Sequence, residues 1–243
     1  MVLPGSLSVG QHHDKIMKEA PFLVIAVDGG AASGKSTTSR AVAEELDLLY
    51  VDTGSYYRAI TAAALQDGLN PDAPGALQAF LQKLRLHTEI DGRDARICVN
   101  GRRIAPDELR AAAVNRNVSR FAARPELRQS VLAQQRHQVA VAREAGFLGV
   151  ILEGRDIGSV VFPEAPFKFF LEADDATRIR RRSGDGEEDT IPERDAMDRE
   201  RPAAPLTCPA DATRIDTTTL TLPEVVAEIV ARVRREWNRR GSR

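Results

Sequence analysis

Two cysteines, Cys98 and Cys208, are all the thiol chemistry that 243 residues offer. They stand far apart and in no ligand-like spacing, which argues against a disulfide framework and a cysteine-built zinc site and fits a reducing compartment. No apolar run approaches the roughly 20 residues needed to span a bilayer, so no membrane partner is expected. An excess of either charge is lacking too. The chain has 34 Lys and Arg against 35 Asp and Glu, a formal net charge of -1, and a sequence pI near 6.5. Such a chain has no global positive field to hold it on phosphate-rich polymers, and nucleic acid is not an expected partner. No internal repeat is visible. The one low-complexity stretch, Ser183 to Asp189 (SGDGEED), reads as a mobile surface segment. The first residues carry no charged start followed by a long apolar run, so residues 1–20 are expected to be a disordered extension rather than a secretory signal. His12 and His13 within them have no third metal ligand in place. A monomer in the cytoplasm is the expectation.

What is present is an alternation of strands and helices. Phe22 to Val27 (FLVIAV) is a short continuous apolar run, as expected of a parallel strand covered on both faces. A glycine-rich turn follows, then helical spacing of Ala41, Val42, Glu45 and Leu46, then a strand from Leu48 to Asp52. Strand, loop, helix, strand opens a parallel α/β sheet. Between Leu84 and Arg103 the pattern changes to short alternating segments separated by Asp91-Gly92 and Asn100-Gly101, which are hairpin turn signals. These predict a small antiparallel meander inserted into the core. Pro106 to Ala145 reads as helical, with Pro125 in a first turn. Strands are expected again at Gly149 to Leu152, Pro166 to Leu171 and Ala212 to Asp216. An amphipathic helix from Leu222 to Trp237 closes the fold, its basic end suited to a helix C-terminus.

The turn after the first strand carries the chemistry. Gly29, Gly30, Ala31, Ala32, Ser33, Gly34, Lys35 and Ser36 satisfy G-x-x-x-x-G-K-[ST] at every fixed position, between a predicted strand and a predicted helix. Such a loop turns backbone N–H groups inward around phosphates, and the helix behind it adds the positive end of its dipole. Lys35 is expected to reach the β and γ phosphates, Ser36 to bind Mg²⁺, and Thr37 to donate to the α phosphate. GTPases, transport ATPases, helicases and small-molecule kinases share this cradle. The absence of an N-K-x-D guanine signature and of a second nucleotide-binding half leaves a small kinase as the leading class.

Four stretches then decide among kinases: VDGGAASGKSTTSRAVAEEL, VDTGSYYRAI, LEGRDIGSVVFPEAP and ERDAMDRERPAAPL. Together, in this order, they resemble the bacterial cytidylate kinase family over about Phe22 to Trp237. The resemblance implies an α/β P-loop NTPase fold with a parallel sheet core, an inserted NMP-binding lobe holding the antiparallel meander, and a short lid. In numbers, the core covers about 21–65 and 146–243, the NMP-binding insertion 66–145 and the lid 178–195. It implies transfer of the γ-phosphoryl group of ATP to CMP or dCMP, with Mg²⁺, in pyrimidine nucleotide metabolism.

Read from the residues alone, Arg58 can either bind an anion above the carboxyl edge of the sheet or form a surface salt bridge. The resemblance puts Thr53 and Arg58 in the monophosphate site. Glu153 ends an apolar strand where a carboxylate commonly orders the Mg²⁺ hydration shell beside such a cradle. By resemblance, Arg155 contacts the CMP phosphate, and Asp156 joins Ser119 and Arg128 in the cytosine pocket. That chemistry is coherent, because a carboxylate accepts from the cytosine N4 amino group and faces the uracil O4 unfavourably, while Arg128 can donate to N3 and O2. Arg194, Asp198 and Arg201 fall on one helix face, where a structural ion-pair ladder would also explain them. The resemblance sends Arg194 and Asp198 to the ribose and phosphate, with Arg201 in support. Arginines 178, 180, 181 and 182 can supply lid groups over ATP, Arg178 and Arg182 foremost; they lack the interleaved aromatics of a nucleic-acid patch. The segment between that cluster and ERDAMD is shorter than in many family members, which leaves open which arginine meets the γ phosphate. Other acceptors, such as UMP, AMP or shikimate, and a regulator that holds ATP without transferring it remain the alternatives.

Overall fold

The computed structural model describes residues 22–73, 75–184 and 191–241, with the side chains of 182–184, 191–194, 238, 240 and 241 left aside. The expectations for residues 1–20 and for most of Ser183 to Asp189 fall outside the described residues. The elements are β1 (Leu23–Gly29), α1 (Lys35–Leu46), β2 (Leu48–Asp52), α2 (Gly54–Gln66), α3 (Ala76–Lys83), β3 (Leu86–Asp91), β4 (Asp94–Val99) and β5 (Arg102–Arg103). They continue with α4 (Pro106–Arg110), α5 (Ala112–Ala122), α6 (Pro125–Glu144), β6 (Gly149–Gly154), a π-helical turn (Ile157–Val161), β7 (Phe167–Glu172), α7 (Asp175–Gly184), α8 (Ile191–Glu200), β8 (Thr213–Asp216) and α9 (Leu222–Gly241). The expected parallel α/β core is present, with strands ordered β2-β6-β1-β7-β8.

Alternation along β1 assigns the two faces of the sheet. Leu23, Ile25 and Val27 pack with Val42 and Leu46 of α1 and with Val225, Ile229, Val233 and Trp237 of α9. Val24 and Ala26 point the other way, toward Ile60 of α2, Phe121 of α5 and Leu127 of α6. A strand clad on both sides reads as an unbroken apolar run, which is why β1, β2 and β6 stood out in the sequence.

The meander forms, but not as a separate insert. β4 pairs antiparallel with β3 and β5, and also parallel with β2 through a bridge at Tyr50 and Asp94. Tyr50 N–H donates to Arg93 O at 2.8 Å across this junction. Among the described residues the result is one eight-stranded mixed sheet. The helical stretch after it divides into α4, α5 and α6, and Pro125 occupies the first turn of α6 as expected. Helix α3 and the π-helical turn carried no expectation.

Close packing fixes the register of the core at Gly149, the partner of Leu23. A Cβ there would lie 2.4 Å from Leu23 Cβ and 2.5 Å from Leu23 O, so backbone would have to move. Gly149→Ala is therefore expected to lower unfolding free energy by about 1–3 kcal/mol, the usual penalty for overpacking a core. Urea denaturation measures it, and an unchanged midpoint would contradict the Leu23–Gly149 pairing.

Candidate active site

The carboxyl ends of β1, β2 and β6 meet at a cleft of about 540 Å³. The strand ends direct acids to it in a set order. Asp52 and Glu153 are register partners on neighbouring parallel strands and so share the face toward α1. Asp28 is one residue out of phase with Val27 and points to the opposite face, where the π-helical turn lies.

Lys35 and Ser36, at the start of α1, line this cleft together with Ala31 and Ala32 of the cradle. Lys35 Nζ donates to Gly30 O at 2.6 Å and to Ser33 Oγ at 3.4 Å. Burial pushes the Lys35 ammonium down from the ordinary lysine range to about 7, the Arg155 charge adding to it and Glu153 and Asp195 opposing. Lys35 is buried, whereas Ser36 and Thr37 are exposed on the first turn of α1, Thr37 outside the cleft lining.

Glu153 is buried, and its carboxyl is raised by that burial and by the neighbouring Asp52 charge, against the pull of Lys35, Tyr50 and Ser36. The Tyr50 hydroxyl donates to Glu153 Oε1, and the Ser36 hydroxyl bonds to the same carboxylate. Burial above all, with Glu153 and Asp52 adding to it, pushes the Tyr50 phenol far above the ordinary range, so it stays a donor at any working pH. Arg40 lies over the Tyr50 ring, 4.3 Å from its centroid, and pairs with Asp94. Two crowded acids beside a hydroxyl fit a hard divalent cation, whose oxygen ligands would be of this kind.

Beyond Glu153 the chain bends out of the sheet carrying Arg155 and Asp156, and here the expected acceptor residues come together as a ladder of alternating charge. Arg155 Nε donates to Asp198 Oδ2 at 2.7 Å, and its Nη1 reaches Gly29 O in the cradle at 2.8 Å. Arg201 stands 3.5 Å from Asp198 Oδ1 and 3.4 Å from Asp156 Oδ1. Arg128 pairs with Asp156 Oδ2 and lies 5.4 Å from the centre of the Tyr57 ring. Arg128 is 9 % exposed, so it is no surface helix residue. Burial and the neighbouring Arg128 charge pull Arg201 below the ordinary guanidinium range, against Asp156 and Asp198.

Other expected residues stand at the margins. Thr53 is buried, and its hydroxyl donates to Glu153 O at 2.6 Å, tying the start of α2 to β6. Arg58 lines the cleft and donates to Leu109 O at 3.0 Å and to the Asn115 side chain, facing α4 and α5. Ser119 lines it from α5. Arg178 does not itself line the cleft; it abuts the cradle at Ala31 O and pairs with Asp195 and Asp175. The side chains of Arg182 and Arg194 lie outside the described residues.

Sequence reasoning missed Asp28, Tyr50, Asp52 and Asp195. For Tyr50 and Asp52 a signal existed, since period-two alternation in β2 puts both on the α1 face. Asp28 offered none. Its Oδ1 accepts the Ile157 N–H at 2.8 Å and its Oδ2 the Gly158 N–H at 2.7 Å, so it caps the π-helical turn behind Arg155 and Asp156.

Comparison with known proteins comes to the same place. The sequence model of the family described as cytidylate kinase matches residues 25–235. A cytidylate kinase from Streptomyces coelicolor is 38% identical over 221 residues, covering 88% of this chain and 94% of its own. One from Limosilactobacillus reuteri is 36% identical over 219 residues, covering 85% and 93%. Among solved structures, a gluconokinase from Sinorhizobium meliloti superposes with a TM-score of 0.50 at 15% identity, over 90% of this chain and 95% of that one, a likeness of fold.

The Asp28 cap has a measurable signature. Burial raises its carboxyl from 3.8 to about 6, against the lowering effect of the Gly158 and Ile157 N–H groups. An acid whose pKa is raised in the folded state contributes stability that is full below its unfolded value and lost as pH rises through its folded value. Between about pH 4 and 6, therefore, wild type should lose stability relative to Asp28→Asn, by up to about 3 kcal/mol, with the gap level above pH 6. Melting curves of both proteins across this range test it; parallel curves would refute the assignment.

Proposed function

The chain belongs to the cytidylate kinase family, and from that premise we propose how its own residues carry the reaction. The activity is transfer of the γ-phosphoryl group of ATP to CMP, giving ADP and CDP; dCMP is proposed as a second acceptor. Residues 66–145 are read as the acceptor-binding lobe and 178–195 as the lid. The protein is read as a cytoplasmic monomer; among the described residues no helix is long and apolar enough to cross a membrane.

On this reading the cradle and Lys35 hold the β and γ phosphates, and Ser36 with Glu153 hold Mg²⁺, Glu153 directly or through water. The ion would supply charge neutralisation on the phosphate oxygens. Thr53, Arg58 and Arg155 bind the acceptor phosphate, and Asp198, with Arg194, binds the ribose and phosphate. Asp156, Ser119 and Arg128 read the cytosine, and Arg201 holds Asp156 and Asp198 in place. An oxygen of the CMP phosphate attacks the γ phosphorus in line, and the bond to the β–γ bridging oxygen breaks, its electron pair leaving with ADP. That nucleophile is already ionised near neutral pH, the second pKa of a phosphate monoester being about 6, so no general base is needed. Rate comes from holding two polyanions in line and offsetting the charge of the moving group.

The single observation that supports this reading best is Arg155. Its guanidinium reaches the cradle at Gly29 O and the acceptor-side ladder at Asp198, so one cation spans donor and acceptor. A coupled ADP-release assay with CMP, dCMP, UMP, AMP and shikimate tests the reading; a preference for any acceptor other than a cytosine nucleotide would defeat it.

Asp156 supplies a sharper test. Replacing its carboxylate by a carboxamide would preserve an oxygen for the flanking arginines but let an amide N–H₂ turn toward the base, where it suits the uracil O4. Asp156→Asn should reduce the CMP over UMP preference in kcat/KM by about 1–3 kcal/mol, the value of one good base contact. An unaltered ratio would remove Asp156 from the base pocket.

A further inference from the structure

The first turn of the cradle is covered by two side chains that the phosphate-binding motif does not account for. Asp195 of α8 accepts the Ala31 N–H through Oδ1 at 3.0 Å, while its Oδ2 pairs with Nη1 of Arg178 in α7. The same Nη1 donates to Ala31 O at 3.3 Å. Carboxylate and guanidinium thus take both polar backbone groups of one cradle residue. Asp195 is 1 % exposed; burial works against its charge, yet the Ala31 N–H and Arg178 hold its carboxyl below the usual range.

Gly30 carries an independent sign of this docking. The motif leaves its position free, and its backbone is not left-handed, so conformation alone does not call for glycine. A Cβ there would nevertheless lie 2.8 Å from Asp195 Oδ2 and 2.9 Å from Arg178 Nη1, and the three atoms nearest to it all belong to that pair. The missing side chain at Gly30 is the seat of the pair.

We propose that Asp195 is a positioning residue for phosphoryl transfer: it docks α8 on the cradle through Ala31 and fixes the Arg178 guanidinium beside the donor phosphates. The inference rests on the proposed role of Arg178 as a lid arginine over ATP. Electrostatics explain why an acid is needed. Arg178 approaches a loop already flanked by Lys35 and Arg155, and Asp195 acts on both of those charges as well. Asp175 pairs with the outer Nη2 of the same guanidinium, and Asp195 is the anion held between Arg178 and the loop's other two cations.

Steady-state kinetics on Gly30→Ala, Asp195→Ala, Asp195→Asn and the Gly30→Ala/Asp195→Ala double variant test it, with melting curves and titration of a non-hydrolysable ATP analogue alongside. Gly30→Ala meets only side-chain ends, so its fold should stand even if Asp195→Ala proves unstable. Both single alanine variants should lower kcat by roughly ten- to a hundredfold, the worth of a charged hydrogen bond, and leave KM for CMP within about twofold. Asp195→Asn, which retains the Ala31 contact but not the charge, should fall between wild type and Asp195→Ala. The double variant should be no slower than Asp195→Ala, because both changes remove one docking. Near-normal kcat in folded Gly30→Ala and Asp195→Ala, or losses that multiply in the double variant, would overturn the proposal. Wild type assayed beside them keeps the two claims apart: no ADP from CMP in wild type would defeat the functional reading, whereas active wild type with unaffected variants would defeat this inference alone.

Discussion

Five side chains of alternating sign, Arg155, Asp198, Arg201, Asp156 and Arg128, run through the interior beside the cleft and join three parts of the chain that are distant in sequence. Taking charges out of water costs several kcal/mol per ion, and only close alternation offsets it. Each acid here stands between two guanidinium groups, so removing one would leave like charges facing each other. Three arginines against two aspartates leave one positive charge in surplus. A ladder of that balance is incomplete electrically in the direction that an anion completes.

The ladder also ties α8 to the cleft, although none of its described residues joins the apolar core. Asp198, and Arg201 just past the helix end, enter the ladder three residues apart, and Asp195, a further turn back, reaches the cradle instead. One short helix therefore touches donor and acceptor sides at once. Among its described residues, the contacts to the cradle and the ladder are ionic.

Much of this was readable before any coordinates. A Gly-rich loop between an apolar run and a helical pattern announces itself, because backbone curvature around phosphate tolerates few side chains. Arg155, Asp156, Asp198 and Arg201 stood in motifs whose resemblance to known kinases located them, and the structure brings them within contact of one another. The π-helical turn was not readable, since Ile157 to Val161 has no period of its own and is held by Asp28, more than a hundred residues earlier. Tyr50 looked like one more apolar strand residue, and its bond to Glu153 depends on strand order, which no local pattern encodes. Asp195 was obscured by its neighbours in the same motif. Hairpin signals located the meander, but its parallel bridge to β2 is tertiary.

That bridge bears on which strand forms the edge of the sheet. β2 is a short, mostly apolar strand on the flank of the parallel core, and bare it would offer unpaired backbone groups to any extended chain nearby. β4 bridges that flank at Tyr50, and the outer rim is β3, whose His87, Glu89 and Asp91 are exposed and polar. The meander is thus a selvage on the sheet, and a shortened relative without residues 84–103 would need another device against edge-to-edge aggregation.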